Sequence, residues 1–172
     1  MKTDKFVFFW GGTFSNWAES PFKIDGVVYN CCEQYMMVKK ALLFGDFEAA
    51  KNIMNTFDPS EQKAYGRGVK GFNQARWEAI CKKIVYDANY AKFTQNPKMH
   101  DELMCTLGKE IVEASPEDKI WGIGLHESDP RAWDKATWQG TNWLGEAIMS
   151  VRDTLLKENH RDIHVDCAEF NK

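Results

Sequence analysis

A carboxylate seven residues ahead of a lysine is the first pairing in this 172-residue chain with the makings of chemistry. Glu33 lies near the start of a segment, Cys31 to Phe44, that contains the unbroken run Tyr35-Met36-Met37-Val38. A helix with apolar residues all round is expected to be covered on most of its circumference. Seven residues are two helical turns, so Lys40 shares the face of Glu33. Two readings fit. Glu33 is either a first-turn carboxylate that complements the helix dipole and pairs with Lys40, or a functional acid beside a cation in one cavity.

Aromatic residues make the second pattern. Seven tryptophans are many for this length, and an indole is normally buried or committed to a site. Trp77 falls on the apolar face of a long amphipathic stretch and Trp10 in a short apolar run, so both read as core. Trp17, Trp121, Trp133, Trp138 and Trp143 lie in or beside segments rich in Gly, Asn and Asp, where an indole can stack on a flat ligand. Gly66-Arg67-Gly68 and Trp121-Gly122-Ile123-Gly124 offer close backbone approach but lack the context of a dinucleotide fingerprint. Together these residues describe a pocket for a planar ligand, phosphorylated or not, with a carboxylate inside. Serine-hydrolase, zincin and P-loop motifs are absent from the sequence. His160, His164 and Cys167 have metal-ligand spacing, but their polar surroundings read as a solvated tail.

The elements that must position these groups are mostly helical. Phe6 to Trp10 reads as a strand, and Pro21 to Tyr29 as a hairpin turning at Asp25-Gly26. Asn30 is the expected cap of the helix carrying Glu33. Further helices are expected over Phe47–Asn55, from Asp58-Pro59 to Gly66, over Asn73–Thr94, from Pro97 to Leu107 and over Trp143–Glu158. Ile111 to Ala114 reads as a short strand, and Leu125 to Gly140 as a long polar and aromatic loop. The fold class is therefore mainly α with a small β component (α+β), one domain over 1–157 followed by a tail, 158–172.

The apolar share of 44% and charged share of 27% suit a globular chain of this kind. No apolar run approaches the ~20 residues of a membrane span, so no membrane partner is expected. The five cysteines, odd in number and without C-x-x-C, are expected as reduced thiols, and the compartment as the cytoplasm. A net charge of −3 without a block of like charge argues against a whole-surface grip on nucleic acid and leaves room for a local basic pocket.

In order along the chain, Phe14-Ser15-Asn16-Trp17, Glu33-Gln34-Tyr35 with Lys40, Gly66-Arg67, Trp77, Trp121-Gly122-x-Gly124 and Asn142-x-Leu144-Gly145 resemble the NADAR family of YbiA-like N-glycosidases. The likeness runs from about Phe8 to Leu155; the ordered set is specific, though no one motif is decisive. It implies a mainly helical fold and cleavage of a ribosyl C–N bond without metal or cofactor. The implied substrates are ribosylamino-pyrimidine phosphates of the riboflavin pathway, or ADP-ribosylated guanine, with nucleic acid carrying ADP-ribose as an implied partner. The resemblance places Glu33 on the catalytic glutamate and Trp77 on a tryptophan tied to activity. Some relatives carry an acid where this chain has Ile123, and Asp118 is the expected substitute as second acid. Expected substrate-binding residues are Asn16, Trp17, Lys40, Arg67, Trp121, Gly122 and Asn142. A non-catalytic module that binds ADP-ribose or a nucleotide is the alternative, and a purely structural protein the third reading.

Overall fold

The computed structural model describes residues 4–158 and 165–171. Its residues form two compact units, Asn16–Asn96 and Met1–Ser15 with Pro97–Lys172. Each is built round its own apolar contacts.

In the unit Asn16–Asn96, an antiparallel hairpin pairs β2 (Phe22–Ile24) with β3 (Val27–Tyr29) across the Asp25-Gly26 turn. Both turn residues have positive φ, 50° and 80°, as this two-residue turn requires. Helix α1 (Cys32–Leu43) packs against α2 (Phe47–Met54), α3 (Pro59–Arg67) and α4 (Gln74–Gln95). That packing explains its composition: Cys32 to Val38 are buried without a break. Asp46, Asp58 and Asn73 cap α2, α3 and α4 through their side chains. Gly66 of α3 sits directly on Met37 of α1, where a methyl group would run into the methionine sulfur.

Asn30 does not cap α1. The cap residue is Cys31, which is extended and makes no side-chain bond to the helix N–H groups. The Asn30 side chain instead donates to the Phe57 carbonyl at 2.8 Å and accepts from Gln62 Nε2 at 2.9 Å. The helix start is served instead by one tertiary partner and one local one: the Asn16 carbonyl accepts the Glu33 N–H at 2.9 Å, and Gln34 Oε1, four residues on, accepts the Asn30 N–H at 2.8 Å.

In the other unit, β1 (Phe6–Phe9) runs parallel to β4 (Glu110–Glu113), with Phe6 opposite Glu110 and Phe9 opposite Glu113. Helix α5 (Pro97–Met104) ends three residues short of the expected Leu107, in turns bonded Thr106 to Leu103 and Leu107 to Met104. Helix α6 spans Trp143–Glu158 and packs on β4. Phe6, Phe8, Val112, Ile123, Leu125 and Ala132 form the core, with Trp138 against it. Two short 3-10 turns, Pro130–Trp133 and Lys135–Thr137, organise the long loop.

Two expectations are corrected in this unit. Trp10 is 53% exposed, because it follows the paired part of β1; its ring meets His126 edge-on at 5.8 Å. Cys105 and Cys167 form a disulfide with Cα atoms 5.6 Å apart, across a separation of 62 residues that spacing alone cannot reveal. With the Lys98–Glu169 ion pair at 2.8 Å, it fastens the C-terminal segment 165–171 beside α5. The remaining cysteines, Cys31, Cys32 and Cys81, are free and buried. Among the described residues no helix is long and apolar enough to cross a membrane.

Candidate active site

The residues expected to do chemistry in Asn16–Asn96 gather round one face of α1. Glu33 is 4% exposed at its first turn. Lys40, two turns on, is half-buried and holds its ammonium 4.7 Å from the Phe72 ring and 5.8 Å from that of Trp77. Burial pushes the Lys40 pKa below its ordinary value, with the Arg67 charge pushing the same way and Glu33 opposing. Glu33, Lys40, Arg67 and Trp77 therefore share one electrostatic neighbourhood. The simple ion pair that spacing allowed does not form at Lys40: its contacts are rings, and among the described residues it has no ion pair within 4 Å.

Arg67 reaches this place because α3 packs tightly at Gly66 and ends one residue later, with Gly68 as its C-cap. Its exposed guanidinium makes no hydrogen bond or ion pair among the described residues. Trp77 is partly exposed, not core, so its ring has a face to offer. Trp17 is 44% exposed, with Lys63 Nζ 5.9 Å above its ring. Asn16 is buried; its carbonyl holds the Glu33 N–H, and its side-chain oxygen accepts from Asn89 at 3.2 Å. Its visible job is to position the glutamate.

Sequence reasoning missed Phe72, Asn89 and Lys92. Phe72 precedes the Asn73 cap and Trp77 follows at the fourth helical position, the spacing of a hydrophobic staple that would have paired them. Lys92 is fully buried on α4 and acts electrostatically on Cys31 and Cys32. Burial nevertheless dominates there, holding these thiols at about 11 and about 12, so neither is a nucleophile near neutrality. The spacing of Lys92 from Cys81, Val85 and Ala88 places it on the inward face of α4, but nothing in that spacing gives a lysine there a partner or a role.

The residues expected from the other unit are tied into its main chain. Asp118 Oδ1 accepts the N–H groups of Ile120 and Trp121, each at 2.8 Å, and the Asp118 carbonyl accepts from Gly124 at 3.0 Å. Asn142 is buried at positive φ (54°); its Oδ1 accepts the Glu113 N–H and its Nδ2 donates to the Ile111 carbonyl, both at 3.0 Å. Both ends of that amide are thereby committed to β4. The Trp143 and Leu144 N–H groups donate to the Ile120 and Trp121 carbonyls, so the W-G-x-G turn caps the start of α6. Gly122 lies against the Glu113 and Asp118 carbonyls, where a side chain would not fit. Trp121 meets Trp143 edge-on at 5.8 Å, and Trp133 and Trp138 donate to the Glu127 and Ala132 carbonyls. Ile123 is fully buried in the core.

His160 and His164 lie outside the described residues, and the Cys167 sulfur belongs to the disulfide. Among the described residues no group of three His, Cys, Asp or Glu is arranged to hold a metal.

The NADAR domain family matches residues 8–156. The chain belongs to the NADAR family. N-glycosidase R617 of Acanthamoeba polyphaga mimivirus is 42% identical over 166 residues, covering 89% of this chain and 98% of that protein. N-glycosidase YbiA of Escherichia coli is 29% identical over 147 residues, 86% of this chain and 83% of YbiA. Its NMR structure superposes with a TM-score of 0.77 at 26% identity over 95% of this chain and 92% of that one. The mainly helical, YbiA-like fold expected of a NADAR chain is thus present. More distantly, the chloroplastic riboflavin biosynthesis protein PYRR of Arabidopsis thaliana is 27% identical over 117 residues, 66% of this chain and 18% of PYRR.

Proposed function

We propose that this NADAR protein is a hydrolase of N-glycosyl bonds, in which Glu33 serves the ribosyl carbon and Lys40 with Arg67 holds a phosphate. The activity is supported by the family and by relatives named N-glycosidase. The single observation that carries the residue roles is the buried Glu33 beside two cations that make no ion pair among the described residues.

Breaking a ribosyl C–N bond builds positive charge at the anomeric carbon. A carboxylate held beside that carbon stabilises the charge and takes a proton from attacking water. The water oxygen bonds to carbon as the C–N bond breaks, and the base departs with the bonding pair and gains a proton. Arg67 offers a planar fork and Lys40 a point charge, the usual complement of a phosphate. Trp77 and Trp17 present ring faces on which a flat base stacks.

The substrate that fits best is a phosphorylated N-riboside. The likeness to PYRR supports a ribosylamino-pyrimidine phosphate, and ADP-ribosyl-guanine meets the same cations with its pyrophosphate. The test offers both to wild type and Glu33→Gln and follows release of base and sugar. Loss of turnover with retained binding is expected of the variant. Normal hydrolysis by Glu33→Gln removes the assignment, and wild-type binding without any product makes the protein a nucleotide-binding module instead.

A further inference from the structure

A cavity of about 360 Å³ opens in the unit Asn16–Asn96, on a different side of α1 from Glu33. Tyr35 lines it, two residues and so about 200° round the helix from Glu33. The volume is in the range that holds small organic ligands. Asp25, at the hairpin turn, and Asp87 and Tyr90, on one face of α4, complete the chemically active wall. The hairpin is locked to α4 there: Gln95 accepts the Lys23 N–H at 2.8 Å and donates to the Lys23 carbonyl at 2.9 Å. The placement of Asp25 relative to α4 is therefore built, not incidental.

Tyr35 is the informative residue. It is 4% exposed, with its ring edge-on to Tyr29 at 5.0 Å and to Phe22 at 6.2 Å. Among the described residues its hydroxyl makes no hydrogen bond. The ring is enclosed while the hydroxyl stays open to solvent from the cavity, where it can accept a donor from a ligand. Burial, then the Asp87, Tyr29 and Asp25 groups, push this phenol up to about 12, so both carboxylates act on it electrostatically. The Asp25 carboxylate likewise has no ion pair among the described residues.

We propose that this cavity is a binding site for a small aliphatic primary ammonium ion. Its N–H groups are donated to Asp25, Asp87 and the Tyr35 hydroxyl, and its methylenes lie along Tyr90. An ammonium brings donors and positive charge to Asp25, Asp87 and the Tyr35 hydroxyl, and Tyr90 offers an aromatic face beside them. The cations already nearby do not fill that role. Lys83 pairs with Asp87 at 2.6 Å, but the pair is exposed and worth little, so a ligand exchanges with it readily. Lys39 lies over the Tyr35 ring at 5.4 Å rather than at the hydroxyl. Lys23 is exposed on the rim and opposes a bound cation. A bare metal ion is a poorer fit, since no three-ligand cluster exists among the described residues.

Titration calorimetry of the whole protein with 1,4-diaminobutane at low, matched ionic strength tests this. One-site saturable binding is expected, absent with the neutral 1,4-butanediol and not displaced by equivalent magnesium. Asp87→Asn is expected to weaken it about tenfold and Tyr35→Phe several-fold, while Lys23→Gln tightens it. Glu33→Gln leaves it unchanged, which separates this site from the proposed reaction. Because Asp87 is partly exposed, its variant keeps the test valid even if Tyr35→Phe fails to fold. No saturable binding, equal binding by the diol, displacement by magnesium, or indifference to Asp87→Asn overturns the proposal.

Discussion

The two units use the same kinds of residue for opposite ends. In Asn16–Asn96, the Asn16 main-chain carbonyl accepts the Glu33 N–H at the start of α1, and the neutral amides of Gln34 and Gln62 both donate to the Thr56 carbonyl between α2 and α3. Among the described residues the charged side chains of Lys40 and Arg67 make no ion pair. In the unit containing β1 and β4, the polar motif residues are themselves the fasteners, with Asp118 and Asn142 committed to main-chain partners. A motif residue can thus be required because it reacts or because it holds the loop. The number of its polar atoms already in use distinguishes these cases.

The largest effect that sharpens the contrast is at Glu33. Glu33→Gln keeps shape and removes charge, so turnover is expected to fall ~10²–10⁴-fold. The melting temperature is expected to stay within a few degrees of wild type, read by calorimetry on the protein used for the assay. A large loss of stability with normal turnover of the folded fraction would class Glu33 with the fasteners.

Asn142→Ala is expected to do the reverse. It strands the Glu113 N–H and the Ile111 carbonyl and places alanine at positive φ, a cost of about 2–4 kcal/mol in denaturant unfolding. Gly145→Ala belongs with it, since a methyl there meets the Ile111 carbonyl and the Asn142 amide. Reducing the Cys105–Cys167 bond opens a loop of about sixty residues in the same unit and is expected to cost about 2–4 kcal/mol. Denaturant unfolding with and without a reductant reads that cost.

The helices were legible because their signals are local. Asp58-Pro59 announces α3, the three- and four-residue apolar spacing announces α4, and the all-round apolar run over Tyr35 to Val38 announces the buried α1. What spacing could not give was the use of each side chain. Asn30 had the right type and place for a cap, yet Cys31 is the cap and the Asn16 carbonyl, far off in sequence, serves the first turn. Trp77 carried the periodicity of a core residue, but its ring is partly open beneath Lys40. The Cys105–Cys167 pair depends wholly on tertiary packing. The order of the motifs identified the family, while which of their polar atoms are already in use needed coordinates.

Asp118 separates the two roles within one residue. Asparagine at this position retains an oxygen for the Ile120 and Trp121 N–H groups, whereas alanine retains none. A fastener predicts turnover within a few-fold of wild type for Asp118→Asn and a loss of about 1 kcal/mol for Asp118→Ala. A fall of ~10²-fold in Asp118→Asn with stability unchanged would restore the second catalytic acid expected from the resemblance.

The smallest effect is the pH response of Lys40, and its sign is specific. Burial and Arg67 set the folded pKa below 10.5, so between the two values the unfolded chain binds more protons than the folded one. Stability from this group therefore rises with pH across that window: the charging penalty is fully present below the folded pKa and gone above 10.5. Phosphate binding runs the other way, because the ammonium is lost in the same window. KM for a phosphorylated substrate is expected to climb there while the melting temperature holds or rises. Lys40→Arg, which stays charged throughout, is expected to flatten the rise in KM. If KM instead stays level in wild type, Lys40 does not hold the phosphate, and Arg67 alone would carry that contact.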